Sequence, residues 1–173
     1  MPINYLELKK EGIESAKSFK AAKRVAEKLR DFLNQKRVED EIIKRDVPDT
    51  PSEEIARIIH RFAVKQGFVY EKTGVIPGFR SQPDFFNSEK KIVLEVERGK
   101  THMNNTDLLD MWKCHFSQAR YLFLAIPKAR RSRKGKVVKQ FRWTKDKLAE
   151  FFRVKKNYVN VDAVFLFGYG SDS

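Results

Sequence analysis

Two apolar runs constrain the fold of this chain more than any other feature of its sequence. Residues 121–126 (YLFLAI) and 163–167 (AVFLF) contain no charged side chain. A strand with one face in water alternates apolar and polar residues, so an unbroken apolar run is typical of a strand covered on both faces. The sequence therefore predicts buried central strands that helices must cover.

The segments around these runs supply helices and further strands. The first forty-five residues are predicted to be helical, and residues 15–35 carry apolar side chains at helical spacing. Ser52 can cap a second helix that ends near residue 66. Further helices are predicted at 104–119 and 144–154, and further strands at 68–71, 83–86 and 91–97. This order predicts a single α/β domain with a mixed sheet flanked by helices.

Charge points to a polyanionic partner. The chain has 173 residues with 36 Lys+Arg against 23 Asp+Glu, a formal net charge of +13. Nucleic acid is the expected partner, and an anionic membrane surface is the rival. No apolar run approaches the roughly 20 residues of a membrane span. The start, MPINY, lacks a signal-peptide pattern, and a single cysteine excludes a disulfide framework. We therefore expect a cytoplasmic protein.

Three carboxylates are predicted to meet on one hairpin. Side chains alternate along a strand, so Glu95 and Glu97 share a face of the strand at 91–97. If residues 88–91 form a four-residue loop, Asn87 pairs with Ile92 and Asp84 lies opposite Glu95. Three neighbouring anions repel one another, and a hard divalent cation with oxygen ligands relieves that repulsion. The alternative is a solvated acidic hairpin.

The spacing of these residues resembles a known motif. Pro83-Asp84, ten residues, then Glu95-Val96-Glu97 is similar to the signature of the PD-(D/E)xK, or restriction-endonuclease-like, nuclease superfamily. Glu97 stands where that motif usually has lysine, and this departure resembles BamHI-type restriction enzymes, whose third position is also Glu. The layout after the motif resembles BglII-type enzymes. The resemblance implies a restriction endonuclease-like core at 52–127, preceded by an N-terminal helical extension (1–47) and followed by a basic loop (128–142) and a C-terminal helix and strand (143–173).

The resemblance also implies roles for individual residues. Asp84, Glu95 and the Val96 carbonyl would hold Mg²⁺, with Mn²⁺ as a substitute, and Glu97 would orient or deprotonate the attacking water. Lys100 or Lys113 would replace the missing lysine. Lys113 can equally be a solvated lysine paired with Asp110, and Glu54 is the candidate acid from the first core helix.

The segment 128–142 carries eight cations and no acid. Such a segment is typical of a clamp on the phosphate backbone, and the alternative is a basic loop with no specific role. The predicted DNA-binding residues in this segment are Lys128, Arg130, Arg131, Arg133, Lys134 and Lys136. Lys100, outside the segment, is a further predicted DNA-binding residue.

A partial nucleotide-binding motif and several aromatic residues have simpler structural explanations. Gly99-Lys100-Thr101 looks like half a P-loop, but Leu94 occupies the position of its first glycine, which argues against a nucleotide cofactor. Trp112 and Phe116 are predicted to lie in the core. Trp143 follows Arg142, and core packing is favoured for it over the alternative of contact with a base or sugar.

Together these features predict a Mg²⁺-dependent DNA endonuclease. The size suits a type II-like restriction enzyme that acts as a homodimer, because cutting both strands needs two active sites. A recombination or repair nuclease, such as a junction resolvase, is the alternative enzyme. A non-catalytic basic nucleic-acid-binding protein is the alternative from another class.

Overall fold

The computed structural model describes residues 3–47, 50–70, 74–98, 105–131, 137–153 and 159–172. The strands are β1 (Asn4–Lys9), β2 (Phe85–Asn87), β3 (Ile92–Val96), β4 (Tyr121–Pro127), β5 (Arg130–Arg131), β6 (Val137–Val138) and β7 (Ala163–Tyr169). The helices are α1 (Lys17–Leu33), α2 (Lys36–Arg45), α3 (Ser52–Lys65), α4 (Thr106–Phe116) and α5 (Gln140–Arg153), with a short 3-10 turn at Ile13–Ser15. None of the helices in these ranges is both long and apolar enough to cross a membrane.

Five strands form one mixed sheet in the order β1-β7-β4-β3-β2. The central strands β7, β4 and β3 run parallel to one another, while β1 and β2 add antiparallel edges. Every residue of β4 and β7 is buried, as their apolar sequences predict. The α/β class and the mixed sheet are therefore confirmed.

Helices cover both faces of the sheet. Ile92, Leu94 and Val96 pack with the apolar stripes of α1, α2 and α3. Val93 points the other way and packs with residues of α4 and α5. The predicted alternation along β3 is confirmed, and it puts Glu95 on the face that α4 covers.

The prediction that the chain begins with a helix is wrong, because Asn4–Lys9 is a strand. It pairs with β7 over its whole length, and Leu6 and Leu8 pack against the α4 side of the sheet. The segment NYLELK has no strong β propensity of its own. The open edge of β7 supplies the backbone partners that turn it into a strand.

The β2–β3 hairpin has the predicted register, with Asn87 opposite Ile92 and Phe85 opposite Leu94. The Asn87 side chain fixes the loop, since its amide donates to the Gln66 and Gly67 carbonyls and its oxygen accepts from the Lys90 N–H. The strand predicted at 68–71 is reduced to one bridge between Val69 and Phe86 within the described residues.

Candidate functional site

The predicted carboxylates lie where β3 ends. Asp84 directly precedes β2, and its Oδ2 accepts a hydrogen bond from the Val96 N–H at 2.8 Å. Glu95 is 1% exposed and projects toward α4. The hairpin register thus brings Asp84 and Glu95 to the same end of β3, as the residue count predicted.

Lys113 joins this group from α4. Its Nζ lies 2.9 Å from Glu95 Oε2 and 3.0 Å from Asp110 Oδ1, and its side chain is 8% exposed. The lysine therefore pairs with Asp110, but it is buried rather than solvated. Its ammonium also reaches the motif glutamate, which a lysine on the outer face of α4 could not do.

The acids strain one another electrostatically. Burial, followed by the charges of Asp110 and Asp84, raises the pKa of Glu95 well above its usual value, and Lys113 opposes only part of that rise. Burial and the charge of Asp110 likewise raise the pKa of Glu97 to about 8. Burial raises the pKa of Asp110 to about 6, against the effect of Lys113. Burial alone would lower the pKa of Lys113, but Asp110 and Glu95 raise it, so the lysine stays charged.

Two acids of the cluster, Asp107 and Asp110, were not predicted as site residues. Both are fully buried in α4. Asp107 Oδ1 lies 2.6 Å from Lys147 Nζ of α5, and its charge contributes to the raised pKa of Glu97. Asp107, Asp110 and Lys113 are spaced by three residues, which puts them on one helix face. This spacing is the sequence feature from which the two acids could have been predicted to lie beside Lys113.

Several carboxylate oxygens in the cluster have no hydrogen-bond donor among the described residues. Glu95 Oε1, Asp107 Oδ2 and Asp110 Oδ2 are buried and accept no hydrogen bond from a described residue. Such oxygens suit a hard divalent cation chemically. Within the described ranges, however, no three His, Cys, Asp or Glu side chains are placed so that they could hold a metal ion together. The carboxylates therefore fit such a cation by their chemistry, while the described side chains do not form a metal-binding group.

The backbone at the end of β3 is held from both sides. The Glu97 N–H donates to the Ala125 carbonyl at 2.9 Å, and the Tyr169 hydroxyl donates to the Glu97 carbonyl at 2.9 Å. The guanidinium of Arg98 bonds to Asp46, whose segment joins α2 to α3. It also donates to the carbonyls of Val47 and Thr50. Tyr169 and Arg98 were not predicted, because their partners are distant in sequence.

Two predicted site residues lie elsewhere. Glu54 is in the first turn of α3, where its Oε1 pairs with Arg57 at 2.6 Å on the surface. Its predicted role in the active site stays a prediction. Lys128 was predicted in an exposed loop, but its side chain is 2% exposed and its Nζ lies 3.8 Å from Asp172. Packing beside Gly168 buries its stem, so the structure corrects this assignment.

Two short strands of the basic segment, β5 and β6, pair as an antiparallel hairpin. Arg130 pairs with Val138 and Arg131 with Val137, directly after β4. Because β3 and β4 are parallel, their carboxyl ends lie at the same end of the sheet. The basic hairpin follows the carboxyl end of β4, so it begins at the end of the sheet where Glu95 and Glu97 lie. The predicted DNA-binding residues Lys100, Arg133, Lys134 and Lys136 fall outside the described residues, as does the side chain of Arg131.

A cavity of about 520 Å³ lies away from this site. It is formed between α1, α2 and α3 and is lined by Lys28, Arg37 and Arg61 among others. These helices cover the face of the sheet opposite Glu95. The chemistry of the cluster is therefore separate from this cavity.

Comparison with known proteins adds no relative. No protein-family model matches this chain, and no curated protein or solved structure matches it significantly.

Proposed function

We propose that this chain is a Mg²⁺-dependent DNA endonuclease that hydrolyses phosphodiester bonds. The observation that carries the proposal is the gathering of Asp84, Glu95 and Lys113 near the end of β3. Asp84 is half-buried, whereas the charges of Glu95 and Lys113 are buried beside an apolar core. The stability cost of these buried charges makes a purely structural role a poor explanation.

The order of elements supports a restriction endonuclease-like fold. A helix (α3) precedes an antiparallel pair (β2 and β3), and a crossover helix (α4) then leads to the parallel strand β4. The two acids of the motif belong to this antiparallel pair, with Asp84 directly before β2 and Glu95 within β3. The bridge at Val69 stands where the first core strand would be.

Each residue of the cluster has a proposed task. Asp84, Glu95 and the Val96 carbonyl would hold the metal, and Asp110 would offer a further carboxylate oxygen beside Lys113. When bound, Mg²⁺ supplies a water of lowered pKa and neutralises charge on the phosphate. Glu97 accepts the proton of the attacking water, a task suited to a carboxylate with a pKa of about 8. Lys113 takes the role of the motif lysine by stabilising negative charge on the phosphate.

The partner is DNA, bound by cations that leave the same sheet edge. The net charge of +13 draws a polyanion to the protein, while the basic hairpin of β5 and β6 contacts phosphates next to the acids. Cleavage of both strands of a duplex would require two such sites, and a type II-like restriction enzyme acting as a homodimer is the form that provides them. A recombination or repair nuclease would use the same site on a branched substrate.

One observation favours a second candidate function. Lys113 already neutralises Glu95 and Asp110 in part, and the described residues contain no ready metal-binding group. A non-catalytic nucleic-acid-binding protein could use the cluster only to join α4 to β3. Such a protein would bind DNA with a steep salt dependence and would never cut it.

Incubation with plasmid and branched DNA, with Mg²⁺, Mn²⁺ or EDTA, tests the proposal. We expect metal-dependent cleavage that Asp84→Asn and Glu95→Gln each reduce at least about 100-fold while DNA binding persists, because the lost charges bind metal rather than DNA. Glu89→Gln is the matched control, since Glu89 is an exposed carboxylate on the same hairpin. Wild-type cleavage by Asp84→Asn, or no cleavage by the wild type with any metal, would overturn the proposal.

A further inference from the structure

Trp143 is an exposed aromatic residue near the proposed active site. It lies in the first turn of α5 and is 41% exposed, so it is not a core residue. One turn later, the Nζ of Lys147 lies 4.9 Å from the centre of the Trp143 ring. This cation–π contact orients the indole from one side.

Lys147 connects the indole to the carboxylate cluster. Its Nζ also lies 2.6 Å from Asp107 Oδ1 and 2.8 Å from Asn105 Oδ1, at the start of α4. Asp107 is buried, and its charge acts on both Glu97 and Asp110. A single ion pair therefore separates the Trp143 ring from the acids that would carry out hydrolysis.

The surroundings of Trp143 suit a nucleic acid. Arg142 has an 81% exposed side chain, and Lys145 is partly exposed on the same helix, where both cations lie within 4.0 Å of Asp146. Residues 140–142 follow the basic hairpin of β5 and β6 directly. Exposed cations beside an aromatic face are the combination that proteins use to bind single strands, where the cations contact phosphates and the ring stacks on a base.

The other exposed tryptophan provides a contrast within the same chain. Trp112 is 47% exposed on α4, where its ring stacks on Phe116 at 5.5 Å. Phe79 and His115 complete this aromatic patch. Among the described residues, no lysine or arginine lies over the Trp112 ring as Lys147 lies over that of Trp143.

We propose that Trp143 is a stacking platform for an unpaired DNA base next to the bond that is cut. The inference rests on the proposed nuclease function and specifies its substrate. In a continuous duplex both faces of each base are covered by neighbours, so only a base from a single-stranded, flapped or branched segment can stack on the indole. The substrate class is therefore DNA with unpaired nucleotides at the cleavage site, which selects the branched substrate of a recombination or repair nuclease over the continuous duplex of a type II-like restriction enzyme.

Fluorescence can test the stacking directly, because the chain has only two tryptophans. In full-length protein carrying Trp112→Phe, Trp143 is the sole tryptophan. A short single-stranded DNA oligonucleotide, added in EDTA to prevent cleavage, should quench this fluorescence strongly, and the same sequence in a continuous duplex should quench it little. The reciprocal variant, Trp143→Phe, leaves Trp112 as the reporter, and its fluorescence should not respond.

Affinity measurements provide the second readout. Trp143→Ala should weaken binding of the single strand by about 5- to 150-fold, the range that loss of one base–aromatic stack produces. Duplex binding should be unchanged, Trp143→Phe should keep most of the affinity, and Trp112→Ala should behave as wild type. Thermal unfolding of each variant checks that its fold is intact.

The outcomes separate this inference from the nuclease proposal. Single-strand binding without quenching, an equal loss for single strand and duplex in Trp143→Ala, or tighter binding of an RNA of the same sequence would overturn the platform, even if metal-dependent cleavage were observed. Selective quenching and a selective loss of single-strand affinity would support it, even if no cleavage occurred with any metal.

Discussion

At the scale of single residues, Lys113 has the most unusual surroundings. Its ammonium is buried between Glu95 and Asp110, and neither acid is exposed by more than 1%. Removing a charge from water costs several kcal/mol, which the partner charges offset only when all of them are present. The group is thus sensitive to the loss of any one member, and this sensitivity can be measured.

We predict that Lys113→Met destabilises the protein by about 3–5 kcal/mol at neutral pH, since it leaves buried acids without their counter-ion. The loss should shrink near pH 5, where those acids accept protons. Urea unfolding at both pH values measures the effect. Lys145→Met, at a partly exposed lysine, should change the free energy of unfolding by less than about 0.5 kcal/mol. A similarly small loss for Lys113→Met would show that the ion pair contributes little.

Glu97 should make the stability of the metal-free protein depend on pH. Its pKa is about 8 in the folded protein and 4.5 ordinarily, so between these values the folded state binds more protons than the unfolded state. The stabilisation is complete below about pH 4.5 and is lost as the pH rises through 8. In EDTA, Glu97→Gln should therefore lose less stability between about pH 5 and pH 8 than the wild type, as measured by urea unfolding. Parallel curves would mean that Glu97 is not the responsible group.

At the scale of elements, the β2–β3 hairpin positions the acids. Its register puts Asp84 beside the end of β3, and a shift by one residue would move Glu95 to the apolar face covered by α3. The length of the loop therefore sets the positions of the acids, although no loop residue belongs to the site. Lys91, at the end of this loop, adopts a positive φ of 55°, which is unfavourable for a residue with a Cβ atom.

Lys91→Gly should stabilise the protein by up to about 1 kcal/mol. Glycine removes the strain of the left-handed conformation, and this gain exceeds its larger entropy loss on folding. Lys90→Gly, at a neighbouring position without a positive φ, should destabilise it instead. Chemical denaturation measures both, and Lys91→Gly should leave any cleavage activity unchanged. Destabilisation by Lys91→Gly would mean that the exposed lysine side chain itself stabilises the turn.

At the scale of the whole molecule, a small cluster of buried acids lies within a chain that has an excess of cations. Glu95, Asp107 and Asp110 are buried near the end of β3, and the net charge of the chain is +13. The basic hairpin leaves the sheet at the same edge as the acids. The exposed cations of α1, which include Lys20, Arg24 and Lys28, lie on the layer that covers the opposite face.

The salt dependence of DNA binding should distinguish these two basic surfaces. Each neutralised phosphate contributes a slope of about −0.9 to log K against log salt on duplex DNA. Replacing Arg130, Arg131 and Arg133 together with alanine should flatten that slope by about two to three units and weaken binding equally for all sequences. The same triple change at Lys20, Arg24 and Lys28 is the control. If only the control flattens the slope, α1 is the clamp.

The sequence by itself determined the parts of this protein that depend on neighbouring residues. Unbroken apolar runs indicated the buried strands β4 and β7, and alternation along β3 indicated which face Glu95 occupies. The length of the hairpin loop determined the partner of Asp84. These inferences succeeded because periodicity and turn length act over a few residues, where backbone geometry alone relates one side chain to the next.

Only the tertiary structure decided what depends on distant segments. The first strand forms because β7 has an open edge, although its own sequence does not require a strand. Lys113 meets Glu95 and Tyr169 holds Glu97 because α4 and β7 pack beside β3. Trp143 is exposed and Lys128 is buried, the reverse of what their local sequence favoured. Burial and pairing are set by the surfaces that other elements leave open, and no local pattern encodes those surfaces.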